Sequence, residues 1–274
     1  MSRLDDILAG RAALLDEAPA TLASDLSRVI ERLGASLDEL LAKYDRTGGR
    51  FTASVDSIRQ AAGSLPELVR ALDDAGYSVA ADRYADRYAD VVAKVKETFG
   101  VKGIRAEFSA VSLEGLETAR TLDLQMFEQI GTNAMREVQR SISQAVIYER
   151  DYTRFVESLR EAITGNDKRG APLATRATAY AETAIGIFDR TVTKELGDEA
   201  GITMYRYWGP LDRITRPWCR ARLNHNQPMT VAEIDALPRS PSNTTGESNF
   251  LAAGGWKCRH GFFPIASDEL PENQ

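Results

Sequence analysis

Soft metal ligands and aromatic anchors are scarce in this 274-residue chain: two cysteines, two histidines and three tryptophans. So few cysteines exclude a disulfide-rich scaffold. No apolar run approaches the ~20 residues needed to cross a bilayer. The first twenty residues lack a basic stretch followed by an apolar core, so they do not form a secretory signal, and synthesis in a cytosol is expected. There is no phosphate-binding glycine loop, dinucleotide fingerprint or His-Glu-x-x-His pair. What remains is an ordinary globular balance, 43% hydrophobic and 27% charged, which excludes wholesale disorder.

Charge is uneven. The net charge is −6. Residues 1–199 carry 26 basic and 33 acidic side chains, and residues 200–274 carry 8 and 7. The acidic bulk argues against a dedicated nucleic-acid binder. Even so, Arg206, Arg213, Arg216, Arg220 and Arg222 accompany a single acid, Asp212. With Lys257 and Arg259 they form a candidate patch for phosphate or for an acidic partner surface. A solvated face with local ion pairs is the alternative.

Residues 1–199 read as helix after helix. Leu22, Leu26, Val29, Leu33, Leu37, Leu40 and Tyr44 recur at steps of three and four, one stripe of a helix that ends at Gly48-Gly49. Ser64-Leu65-Pro66-Glu67 opens another helix, which Gly76 closes. Residues 82–90 repeat with period four. This aligns Arg83 with Asp86 and Arg87 with Asp90 at i,i+3, and it stacks Tyr84 and Tyr88 as a docking or packing stripe. A long helix is predicted over about 113–148. A helix capped by Asp151 follows, then a loop at 165–172, then a helix over about 173–199.

After Gly201 the composition changes. All the tryptophans, cysteines and histidines, and seven of the ten prolines, lie there. Met204–Trp208 and Gly261–Ile265 have strand chemistry. Between them, Thr230 and Glu233 fit a capping box. The expected fold class is α+β, mainly α: an elongated helical region over 1–110, a long-helix region over 111–200, and a small module over 201–274 with Trp208, Trp218 and Trp256 as its core.

Cys219, His225, Cys258 and His260 are the chain's only soft ligands. Zinc would take four such groups tetrahedrally, but their spacing departs from the usual Cys-x₂₋₄-Cys and His-x₃₋₅-His. A Cys219–Cys258 disulfide and a set of buried thiols with hydrogen-bonded histidines are the other readings. A Cys-His nucleophilic pair would need an activated thiolate and an oxyanion hole.

Three blocks, in order, carry a resemblance. They are Arg176-Ala177-Thr178-Ala179-Tyr180-Ala181-Glu182-Thr183, then Tyr207-Trp208-Gly209-Pro210-Leu211-Asp212-Arg213-Ile214-Thr215-Arg216-Pro217-Trp218-Cys219, then Gly255-Trp256-Lys257-Cys258-Arg259-His260 with Pro264 beyond. Over roughly residues 150–266 the chain resembles the Mu F-like head morphogenesis (minor head) proteins of tailed bacteriophages. It departs from them in having Gly255-Trp256 where they have His-Pro, and His260 where they have a last cysteine. The resemblance implies a low-copy structural protein made with the virion head, of a kind that in some cases affects DNA packaging or ejection. Its partners would be the portal and the capsid or scaffold proteins, with packaged DNA a further contact and no membrane. The lack of a catalytic constellation points away from an enzyme, and no cofactor is expected apart from zinc at the Cys/His residues. A Cys-His hydrolase or toxin-like effector, and a DNA-contacting module, are the competing functional readings.

Overall fold

The computed structural model describes residues 3–166 and 169–266. Its elements are α1 (Arg3–Ala42), a short ribbon β1 (Arg46–Thr47) and β2 (Arg50–Phe51), α2 (Val55–Gly63), α3 (Leu65–Asp74), α4 (Tyr77–Val101), α5 (Ala110–Ile147) and α6 (Tyr152–Thr164). A second ribbon follows, β3 (Gly165–Asn166) and β4 (Arg169–Gly170). Then come α7 (Pro172–Glu199), β5 (Tyr205–Trp208), α8 (Pro217–His225), α9 (Val231–Ala236), α10 (Asn249–Ala252) and β6 (Gly261–Pro264). This is the mainly α, α+β class expected. No helix among the described residues is long and apolar enough to cross a membrane.

The chain divides into two compact units, and neither is a continuous stretch. One draws on residues 1–20, 85–123 and 179–274, the other on 21–84 and 124–178. The compositional boundary at residue 200 marks the end of α7 but not of a unit. Long helices cause the difference: α1, α4, α5 and α7 each supply residues to both.

In the second unit, the predicted stripe of α1 from Leu22 to Tyr44 is buried, as are Phe127, Val138 and Ile142 of α5 and Phe155, Leu159 and Ile163 of α6. Phe51 sits edge-on to Tyr44 and Phe155 at 6.1 and 5.5 Å. Asp151 caps α6, accepting from the Arg154 N–H at 2.9 Å. Gly131 lets α5 approach Tyr77 closely, since a Cβ there would lie 2.8 Å from the ring. The Tyr77 hydroxyl then donates to the Phe127 carbonyl at 2.8 Å. The expected Arg83–Asp86 pair does not form: Arg83 reaches Asp25 at 2.7 Å. Ser64 precedes α3 as expected, but its hydroxyl bonds back to the Ala61 carbonyl and leaves the helix start uncapped by a side chain.

In the first unit, Tyr88 stacks on Phe188 with centroids 4.1 Å apart, so the tyrosine row is packing. Arg87 and Asp90 pair at 2.9 Å as their spacing predicts. The Tyr88 and Tyr180 hydroxyls both donate to Asp123, whose carboxyl is raised chiefly by burial. Arg11 is fully buried against Asp189, with contacts of 2.5 and 2.8 Å, and donates to Thr193 Oγ1 at 2.5 Å.

Strands β5 and β6 pair antiparallel, with Tyr205 opposite Pro264 and Trp208 opposite Gly261. Alternation sends successive side chains to opposite faces. Tyr205, Tyr207 and Phe262 join Cys219, Met229, Ile234, Phe250 and Cys258 on one face. Trp208 and Phe263 face the other way and pack with Ile265, Leu4, Leu8 and Ala12. This parity corrects the expected tryptophan core. Trp208 is buried on the opposite face, Trp218 only borders the module core, and Trp256 is 38% exposed. The core is instead made of tyrosine and phenylalanine: Phe250 and Phe262 stack at 4.6 Å, and Tyr205 meets Phe250 edge-on at 5.0 Å.

Candidate metal centre

Three of the four candidate soft ligands converge. Cys219 enters on the first turn of α8, while Cys258 and His260 flank the entry into β6. All three are buried, and their ligand atoms lie within 4.8 Å of one another. Cys219 Sγ is 3.9 Å from Cys258 Sγ, which in turn is 3.7 Å from His260 Nδ1. Both cysteines are free thiols. His225 is not part of the group. It lies six residues beyond Cys219 on the same helix, about 9 Å along the axis and on a different face, and it is exposed.

The backbone around the cluster is shaped for it. The turn between α10 and β6 carries positive φ at Ala253 (48°), Gly255 (87°) and Lys257 (57°). It brings Gly254 over the sulfurs, where a Cβ would lie 2.3 Å from Cys219 Sγ and 2.8 Å from Cys258 Sγ. The Gly254 N–H donates to Cys258 Sγ at 3.2 Å. His260 Nε2 lies 3.0 Å from the Pro210 carbonyl. A carbonyl can only accept, so Nε2 carries the proton and Nδ1 presents its lone pair toward the sulfurs. Tyr207 stacks on the His260 ring, parallel within 2° at 5.5 Å, and its hydroxyl lies 4.0 Å from Cys258 Sγ.

Arg190 is the support that sequence reading misses. Fully buried on α7, it donates to the carbonyls of Leu251, Cys258 (3.4 Å) and His260 (2.7 Å). It thereby fixes the two segments that present the ligands. Burial lowers its own pKa, and the nearby Cys258 sulfur opposes that shift. Cys258 is held well below the ordinary thiol value, first by the Cys219 hydrogen bond and, against burial, by the neighbouring Arg190 charge. Cys219 is pushed up by the same contact and by burial. A signal for the α7 charges was present in the chain. Asp189 and Arg190 interrupt the apolar run Ile185, Phe188, Val192, Leu196, where a helix face should be purely hydrophobic.

The cluster forms the floor of a cavity of about 290 Å³, whose walls include Asp16, Glu182, Thr215, Arg216, Lys257 and Arg259. In the predicted arginine patch Arg213, Arg220 and Lys257 are exposed and the others half-buried, and several are engaged by protein acceptors. Arg216 donates to the Gly254 and Trp256 carbonyls at 3.3 and 2.5 Å, and Arg220 to the Asp212 carbonyl at 3.0 Å. Arg259 pairs with Asp212 at 2.5 Å and Asp16 at 3.5 Å, and Lys257 pairs with Glu182 at 2.7 Å. Arg222 lies over the Trp218 ring at 5.0 Å. Arg213 is exposed, and strand parity places Arg206 on the opposite face of β5 from Tyr205 and Tyr207.

The site therefore belongs to a class: a small helix-and-ribbon module holding a buried Cys-Cys-His cluster under a charged pocket. Comparison with family models, with curated proteins and with solved structures returns no match for the chain.

Proposed function

We propose that the protein is a structural and assembly component of a tailed-phage head, a minor head or head morphogenesis protein that acts at the portal and capsid interior and catalyses no reaction. One observation carries this reading: the three separated sequence blocks that carry the family resemblance meet at one place in the fold. Thr183 Oγ1, from the first block, accepts the Lys257 N–H of the third at 3.1 Å, and Glu182 pairs with Lys257 at 2.7 Å. Asp212 and Cys219, from the second, meet Arg259 at 2.5 Å and Cys258 at 3.9 Å. Residues that recur in one order for the sake of one fold should contact one another, and these do.

The competing readings draw less support. A Cys-His hydrolase needs a nucleophile free to turn to its substrate; the cavity reaches Cys258, but its sulfur is engaged by Cys219, the Gly254 N–H and His260. A DNA-contacting face needs free outward cations; Arg213, Arg220 and Lys257 are exposed, but Arg220 and Lys257 are held by Asp212 and Glu182, and Arg216 and Arg259 by other protein groups. The apolar stripes of the helices are buried, but Val111, Leu113 and Leu122 of α5 are exposed and available to a portal or scaffold partner. Mass spectrometry of purified procapsids and virions tests the proposal. The chain should be present at low copy in at least one of the two particles, and its absence from both overturns the reading.

A further inference from the structure

We infer that Cys219 Sγ, Cys258 Sγ and His260 Nδ1 bind one zinc ion, with the fourth position open to the cavity above them. The inference rests on geometry and on the neighbours of the ligands. Zinc–sulfur bonds of about 2.3 Å and zinc–nitrogen bonds of about 2.0 Å give a tetrahedron with edges of roughly 3.5–3.8 Å. The two sulfurs are 3.9 Å apart and Cys258 Sγ is 3.7 Å from His260 Nδ1, with all three ligand atoms within 4.8 Å of one another. Two thiolates and an imidazole suit zinc among the common divalent ions.

The surroundings match what a metal-ligating histidine and thiolate need. A ligating imidazole donates its second N–H to a fixed acceptor, which sets the tautomer. His260 does so to the Pro210 carbonyl at 3.0 Å, so the lone pair of Nδ1 faces the sulfurs. A ligating thiolate accepts backbone N–H bonds, and Gly254 supplies one to Cys258 at 3.2 Å. Gly254 is also the residue whose missing side chain leaves space beside both sulfurs. Close packing of the sulfurs already requires the glycine, so the convergence of two sulfurs and an imidazole nitrogen on one point is the observation that favours an ion.

Among the described residues no fourth histidine, cysteine or carboxylate joins the group. The cavity that reaches all three ligands gives the ion an entry path and room for a water as fourth ligand. This inference stands apart from the proposed assembly role, since a zinc site can be present or absent whichever partner the protein has.

The test begins with the full chain purified without chelator. Its metal content is measured by plasma mass spectrometry, and its thiols are counted under denaturing conditions. One zinc per chain and two free thiols are expected, with the zinc lost in Cys258→Ser and in His260→Ala and retained in His225→Ala. Substitution by cobalt(II) in the wild-type chain covers variants that fail to fold. Intense tetrahedral d–d bands with thiolate-to-cobalt charge transfer are expected. A metal-free chain that gives no such spectrum on cobalt addition overturns the inference. So does a Cys219–Cys258 disulfide, or zinc that survives Cys258→Ser.

Discussion

Glycine at position 197 decides how closely α7 can approach Tyr205. A Cβ at Gly197 would fall 1.9 Å from the Tyr205 hydroxyl, and the tyrosine is fully buried and cannot swing away. Gly197→Ala is therefore expected to destabilise the protein by about 1–3 kcal/mol through overpacking, read as a lower urea midpoint with an unchanged slope. An unchanged midpoint would show that the contact is not tight. Asp212 gives a second prediction at this scale. The hydrogen bond from Arg259 holds its carboxyl down at about 2, aided by Thr215 and against some burial. A depressed carboxyl stabilises the fold above its unfolded value of about 3.9 and loses that contribution as pH falls through the folded one. NMR titration of the Asp212 side chain should give a midpoint near 2, and Arg259→Gln should move it upward. A midpoint near 4 in the native chain would contradict the ion pair.

Helices and ribbons were the level most legible beforehand. The stripe of α1, the Asp151 cap of α6, the capping box of α9 and the two strands all follow from local spacing, because neighbours one turn or one residue apart dictate them. Thr230 illustrates this: its hydroxyl accepts from the Glu233 N–H while the Glu233 carboxylate accepts from the Thr230 N–H. Thr230→Ala should lower stability by about 1 kcal/mol in thermal unfolding, and no change would show that the box is not needed. Long-range features were not legible. Which face of β5 receives Trp208, and that Arg83 turns to Asp25 rather than to its i,i+3 neighbour, depend on elements distant in sequence. The Arg11–Asp189 pair between α1 and α7 is of this kind, fully buried on both sides. Arg11→Ala should cost about 3–5 kcal/mol by stranding the Asp189 charge, while replacing both partners by leucine should cost much less. Equal losses in the single and double variants would refute the buried pair.

For the whole molecule, half of the candidate site could be read from composition: the concentration of cysteine, histidine and tryptophan after residue 200 pointed to the right region. Composition could not say that His225 falls outside the cluster, that the tryptophans split across a ribbon, or that Arg190 from α7 ties the ligand segments down. These depend on a tertiary arrangement in which units are assembled from discontinuous stretches. That arrangement also gives the functional proposal its support, because blocks from α7, from the β5–α8 connection and from the approach to β6 converge on one centre. The most direct test of the proposed assembly role mixes the purified full chain with an assembled portal ring encoded in the same genome and follows both through size-exclusion chromatography. The account predicts that the chain elutes with the ring at a defined low stoichiometry. A chain that elutes alone, with the ring intact and the chain folded, contradicts it.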